Sequence, residues 1–195
     1  MDPILIIVIV VLFAGGYLLV TYNSFAGLKV RIRASIQEIG NQLKRQADLI
    51  PNIESSAKGY LKHERSIYKD LTEARKAVAQ AQKTGSLKDA EKAGKLISDF
   101  LPRFQVLVES NPEMKGAEVV RQLMEELRDS ADKIMYSRRT FIDLVADYNT
   151  MRVQFPSSII ARMFGFSEER GLTAPEKGTH LEVSVDQTKT PKIEL

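Results

Sequence analysis

The residues best equipped for chemistry are an adjacent histidine and glutamate, His63-Glu64, set in a long helical pattern. A helical His-Glu-x-x-His places two imidazoles on one face for zinc, with the glutamate as general base. Here the position that would complete it is Ile67, and the second histidine, His180, lies near the C-terminus. Cysteine is absent, so thiolates cannot make up the ligand set, and disulfides, a cysteine nucleophile and a cysteine-linked lipid are excluded as well. No serine sits in a Gly-x-Ser-x-Gly elbow, and no glycine-rich phosphate loop is present; Gly15-Gly16 lies in an apolar run. These patterns predict no catalytic residue, no metal, no cofactor and no enzymatic activity.

A net charge of +3 raises the question of nucleic acid. Acids and bases are interspersed as on solvated helix faces, and the aromatic residues recur at helical spacing, as core residues do. No nucleic-acid partner is expected.

Two charged residues nevertheless stand out, because they interrupt apolar seams. From Ile32 a 4-3 pattern runs through Ile36, Ile39, Leu43, Gln46, Ile50, Ile53, Ala57, Tyr60, Glu64, Ile67, Leu71, Ala74 and Val78. A second runs through Val120, Met124, Leu127, Ala131, Ile134, Arg138, Phe141, Val145, Tyr148 and Arg152. This is heptad patterning, and period-2 alternation is absent. The first seam predicts one long helix from about Phe25 to Lys83, kinked or briefly broken at Pro51 by the missing amide donor. Antiparallel pairing with Val78 opposite Val120 would bring Arg138 within a turn of Glu64, an ion pair that fixes register. The alternative is that each charge reaches solvent independently.

Between the seams, Lys83-Thr84-Gly85-Ser86 signals a turn with Ser86 as N-cap. A helix from Leu87 to Glu109 follows, disturbed by Pro102, and Asn111-Pro112-Glu113 opens the next. That helix should end before Phe155-Pro156. A short apolar helix, Ser157 to Phe164, follows and stops at Gly165. This segment holds Phe155, Ile159, Ile160, Met163, Phe164 and Phe166, flanked by Arg152, Arg162 and Arg170, and suits either a cap on the bundle core or an interfacial helix on lipid. Beyond Ser167 the polar, proline-containing chain reads as a mostly disordered tail, with Leu181–Val185 alternating like a strand.

Ahead of the seams, Ile4–Val20 is uncharged and apolar throughout. As a helix it spans about 26 Å, at the short end for a hydrocarbon core, with Tyr17 and Tyr22 able to sit at the headgroups. A cleaved signal peptide would need a basic start and a small-residue cleavage site, and the chain offers Met1-Asp2-Pro3 and no A-x-A. Lys29, Arg31 and Arg33 follow the span, so the positive-inside rule puts the N-terminus outside and the bundle in the cytoplasm of a single-pass inner-membrane protein. The organisation expected is an anchor over 1–23, a helical bundle over 24–166 and a tail over 167–195. The fold class is all-α: an elongated antiparallel bundle of three to four helices behind a transmembrane helix.

Several of these residues also form a pattern. Tyr22-Asn23, then Gln42-Leu43-Lys44-Arg45-Gln46-Ala47-Asp48-Leu49-Ile50-Pro51-Asn52, then Lys58-Gly59-Tyr60 and His63-Glu64 resemble the LemA family. Ala74-Arg75, Tyr148-Asn149 and Phe155-Pro156 extend the resemblance over roughly residues 1–166. Ile53-Glu54 departs from the usual Leu-Val, and the stretch from Asp129 to Phe141 departs from the usual acid, Ala-Arg and Tyr-Asn. The resemblance implies an anchor with a short external N-terminus and an elongated helical bundle, without an established activity. One branch includes magnetosome proteins needed for making internal membranes, which favours a role in envelope organisation.

The function expected is that of a membrane-anchored helical scaffold, with the lipid bilayer as partner and self-association through the long seams into a homo-oligomer. The alternative is an adaptor that docks onto a membrane enzyme or transporter.

Overall fold

A computed structural model describes residues 2–61, 64–111 and 117–171, all helices and turns. Five helices follow in order: α1 (Pro3–Leu61), α2 (Arg65–Thr84), α3 (Leu87–Ser110), α4 (Ala117–Val153) and α5 (Ser157–Met163). The fold class expected from the heptads is therefore the one observed. α1 packs on α2 and α4, and α3 packs on α2 and α4, so the four helices form a closed up-and-down ring.

Most of the first seam is buried, with Ile36 and Glu64 exposed, and it is carried by two helices, not one. α1 ends at Leu61 and α2 runs back along it: Arg75 pairs with Glu54 at 3.0 Å, and Gln82 Nε2 donates to the Leu43 carbonyl at 3.4 Å. The 4-3 phase runs unbroken across the reversal. Both arms must offer an apolar stripe to the same core, and periodicity carries no sign of chain direction. Pro51 does not break α1, which continues through it with Ile50 and Ile53 fully buried on either side. Packing against two neighbouring helices outweighs one lost backbone hydrogen bond, and α3 likewise continues through Pro102.

The α2–α3 turn follows its sequence signals. Gly85 sits at φ 61° and its amide closes on the Ala81 carbonyl at 2.9 Å; the Ser86 side chain then accepts from the Asp89 amide at 3.4 Å. The Asn111-Pro112-Glu113 signal and Leu181–Val185 lie outside the described residues, apart from Asn111, the C-cap of α3.

Helix length sets the overall shape. At 1.5 Å per residue α1 spans about 88 Å, α4 about 55 Å, and α2 and α3 only about 30–36 Å. The short pair covers one part of the long pair, and two cores result. A four-helix head buries Ile39 to Ala57 of α1, Ile67 to Ala81 of α2, Ala90 to Val108 of α3 and Val120 to Ile134 of α4. A two-helix stalk buries Phe25, Ile32, Phe141, Leu144, Val145 and Tyr148, with Ala161 of α5. Leu87, at the α2–α3 turn, touches both cores.

Beyond the stalk, α1 projects alone. Only 6% of its most apolar 18-residue stretch is buried. By length and composition this part of α1 could cross a membrane, and the other described residues leave it bare, as the core of a soluble protein would not.

Candidate functional site

The densest arrangement of specific contacts lies where the stalk meets the apolar projection. α4 runs antiparallel to α1 and brings Tyr148 edge-on to Phe25, ring centroids 5.4 Å apart, both rings fully buried. The chain then turns through Gln154–Pro156 into α5, which packs Ile160 and Ala161 against the stalk. α5 closes at Gly165, φ 69°, where the Phe166 amide reaches the Ala161 carbonyl at 2.8 Å. This Schellman closure needs a left-handed residue and swings Phe166 back onto the stalk. Phe166 stacks on Phe25 at 4.6 Å, and Tyr22 meets both Phe164 and Phe166 at 5.0 and 5.5 Å.

From there the chain climbs the α1–α4 groove, held by side chains that bond to its backbone. The Tyr148 hydroxyl donates to the Ser167 carbonyl at 3.0 Å. Asn149 donates to the Glu169 carbonyl at 2.8 Å and accepts from the Glu169 amide at 3.1 Å. Lys29 pairs with Glu169 at 3.4 Å while lying 5.8 Å from the Tyr148 ring centroid, and Arg152 pairs with Glu168 at 3.1 Å. Burial pushes the Tyr148 phenol above its ordinary range, with Glu169 adding to the shift and Lys29 opposing it. Residues 167–169, read from composition as the start of the tail, are thus pinned, and at Gly171 the chain still lies against Val145. Residues 172–195 lie outside the described residues.

The proposed Glu64–Arg138 ion pair does not form. Arg138 pairs with Glu91 of α3 at 2.8 Å, close to the α2–α3 turn, while Glu64 is exposed at the opposite end of the head beside the α1–α2 reversal. The error follows from reading α1 and α2 as one helix: Arg45 of α1 in fact reaches Glu126 and Asp129 of α4, each at 3.3 Å. That register puts Val120 near Ile53, not Val78. Asp129 is held below the usual carboxylate range, first by its hydrogen bond from Lys133 and also by the charges of Lys133 and Arg45.

Of the other expected residues, Pro51 lies within the head segment of α1, and the basic residues Lys29, Arg31 and Arg33 lie on the stalk segment of the same helix. The short apolar helix divides. Ile160 is buried, as a core cap requires, while Ile159 (57% exposed) and Phe155 just before the helix (83%) face outward, as an interfacial helix requires; Phe164, just after it, is half-exposed and rests on Tyr22. His63 and His180 lie outside the described residues, and among the described residues no three His, Asp or Glu side chains gather to hold a metal. The head's surface grooves are open; one between α3 and α4 is lined by Gln105, Glu109, Arg121, Met124 and Arg128.

Sequence reasoning found Tyr148 as a seam residue and Tyr148-Asn149 as a motif, but missed the clamp itself. One signal was available: an asparagine in a helix interior, where it is disfavoured, directly beside a buried tyrosine. Its side chain is there to hold a backbone that follows twenty residues later.

The chain can be set beside known proteins on this basis. It is 24% identical over 172 residues to the magnetosome protein MamQ of Magnetospirillum gryphiswaldense, a match covering 76% of this chain. The match takes in 63% of MamQ, less than two thirds of its length. The LemA family model matches residues 35–186, which includes most of α1 beyond the projection, all of α2 to α5 and the Tyr148-Asn149 clamp. With well over half its length accounted for in this way, the chain belongs to the LemA family.

Proposed function

We propose that the protein is a membrane-anchored interaction scaffold that serves membrane or envelope organisation and carries out no reaction of its own. The observation behind this reading is the continuity of α1. One helix passes from the bare apolar projection through the stalk into the core of the head, so the head is held on a stiff post at a set distance from the bilayer. The basic residues Lys29, Arg31 and Arg33 support a cytoplasmic head and an external N-terminus. Similarity to a magnetosome protein supports a role at a membrane.

Self-association through the long seams requires that one copy leave them uncovered. Within the head, four helices of one chain bury them almost completely. This favours a second reading, an adaptor whose polar head docks onto a membrane enzyme or transporter. Chemical crosslinking and light scattering of the full-length protein in mild detergent separate the two. Homo-oligomers support self-assembly. A monomer rules it out, and co-purification of one membrane protein at fixed stoichiometry then supports the adaptor.

A further inference from the structure

The outward apolar face at the end of the stalk has a specific depth. With Tyr148 against Phe25 and the helices antiparallel, each residue further along α4 lies opposite one residue earlier on α1. Val153, the last residue of α4, therefore falls level with Val20, the last residue of the apolar run, and Phe155 follows in the turn just beyond. Both are exposed in the chain alone, Val153 by 66%, as are Ile159 and Met163 one helical turn apart on α5. Thr21 is buried at this same level, so the α4–α5 turn is seated against the end of the span. Arg162 and Arg170, both exposed, make no ion pair among the described residues.

We propose that the α4–α5 turn and the outer face of α5 form a second membrane contact, inserted into the phospholipid leaflet from which α1 emerges. This rests on reading α1 as the membrane span, and it commits to lipid as the occupant for two reasons. The exposed side chains are continuous with the span's own surface and lie at its depth, where water is already giving way to acyl chains. Arg162, exposed and without an ion-pair partner among the described residues, borders them on α5 where headgroup phosphates would lie, the composition of an interfacial helix. α5 is apolar on both sides because its two sides meet different solvents: Ile160 and Ala161 meet the protein, and Ile159 and Met163 meet lipid. Two points of attachment would also fix the tilt of the post, which a single helix leaves free to vary.

The absence of cysteine makes a direct test possible with the full-length protein in vesicles of neutral and anionic phospholipid. Single variants Ile159→Cys, Leu12→Cys, Asp147→Cys and Lys69→Cys carry a small fluorophore. Its emission is read against brominated lipids and against aqueous iodide. The expected result is loss of emission at position 159 to shallow bromines, with protection from iodide, at a depth of about 5–10 Å below the headgroup boundary. Position 12 should be quenched by deep bromines, and positions 147 and 69 by iodide alone. If position 159 is open to iodide, the proposal fails. If it is protected from iodide but untouched by bromolipid, a protein covers it and the proposal also fails. Loss of lipid quenching at 159 alone overturns the second contact and leaves the anchor standing, whereas loss at position 12 overturns both.

Discussion

The head and the stalk solve the same problem with different materials. In the head, four helices enclose a core that is mostly aliphatic and alanine, and each helix is held by two neighbours. In the stalk only α1 and α4 continue, and a short two-helix pair buries too little to hold itself together. The missing helices are replaced by rings and by chain. Phe25, Phe141, Tyr148 and Phe166 each bring a large buried area, and residues 166–169 form a third wall whose backbone carbonyls accept from the Tyr148 and Asn149 side chains. The stalk thus depends on a few named contacts, whereas the head spreads its stability over many.

If that contrast holds, the largest effect of a single change belongs to the stalk. Phe25→Ala removes the ring on which both Tyr148 and Phe166 rest, at a cost of about 3–5 kcal/mol. Hydrogen exchange should rise across residues 141–153 and 157–169 while α2 and α3 keep their protection. Equal loss of protection in the head would show that the two regions are one cooperative unit and break the comparison. The head has its own weak point in Gln46, fully buried with neither side-chain polar atom bonded to protein. Gln46→Leu keeps the volume and removes an unpaired polar group, which should stabilise the head by about 1–3 kcal/mol in chemical denaturation. A loss of stability there would mean that Gln46 has a polar role not seen in its protein contacts. A smaller effect is expected for Asn149→Ala, about 1–2 kcal/mol for two hydrogen bonds to one backbone unit. Its signature is local: faster cleavage by trypsin at Arg170, with the rest of the stalk still protected.

What could be read from the sequence follows the same division. The head's buried residues were legible because heptad spacing marks an apolar stripe whichever way the chain runs, and most apolar seam residues are buried, Ile36 excepted. The direction of the chain was not legible. Pro51 is the strongest local breaker in the first seam, yet α1 passes through it, while the reversal comes after Leu61 with no proline there and with Gly59 inside the last turn of α1. Helix ends followed their local chemistry where that chemistry was strong, as at Gly85-Ser86 and Gly165. Asn149 beside Tyr148 marked one side of the clamp, but its partner was illegible, because that partner is the backbone of residue 169 and a backbone partner leaves no mark in residue type. The apolar segment at 155–164 was read as facing either protein or lipid, and it divides because a short helix has two sides.

The smallest expected effect tests the corrected register. Arg138 and Glu91 lie 2.8 Å apart, with Arg138 about a quarter exposed and Glu91 about half exposed. Water screens such a pair, so a double-mutant cycle of Arg138→Ala and Glu91→Ala should give a coupling of only about 0.2–1 kcal/mol. The cycle of Arg138→Ala with Glu64→Ala should give none, because those residues lie at opposite ends of the head. A coupling to Glu64 larger than that to Glu91 would restore the single long helix read from the first seam and undo the fourfold head. In that case the contrast between a redundant head and a stalk of few contacts would fall with it. A weak but correctly placed coupling therefore says more about this fold than a strong one elsewhere, since it reports which helix faces Arg138.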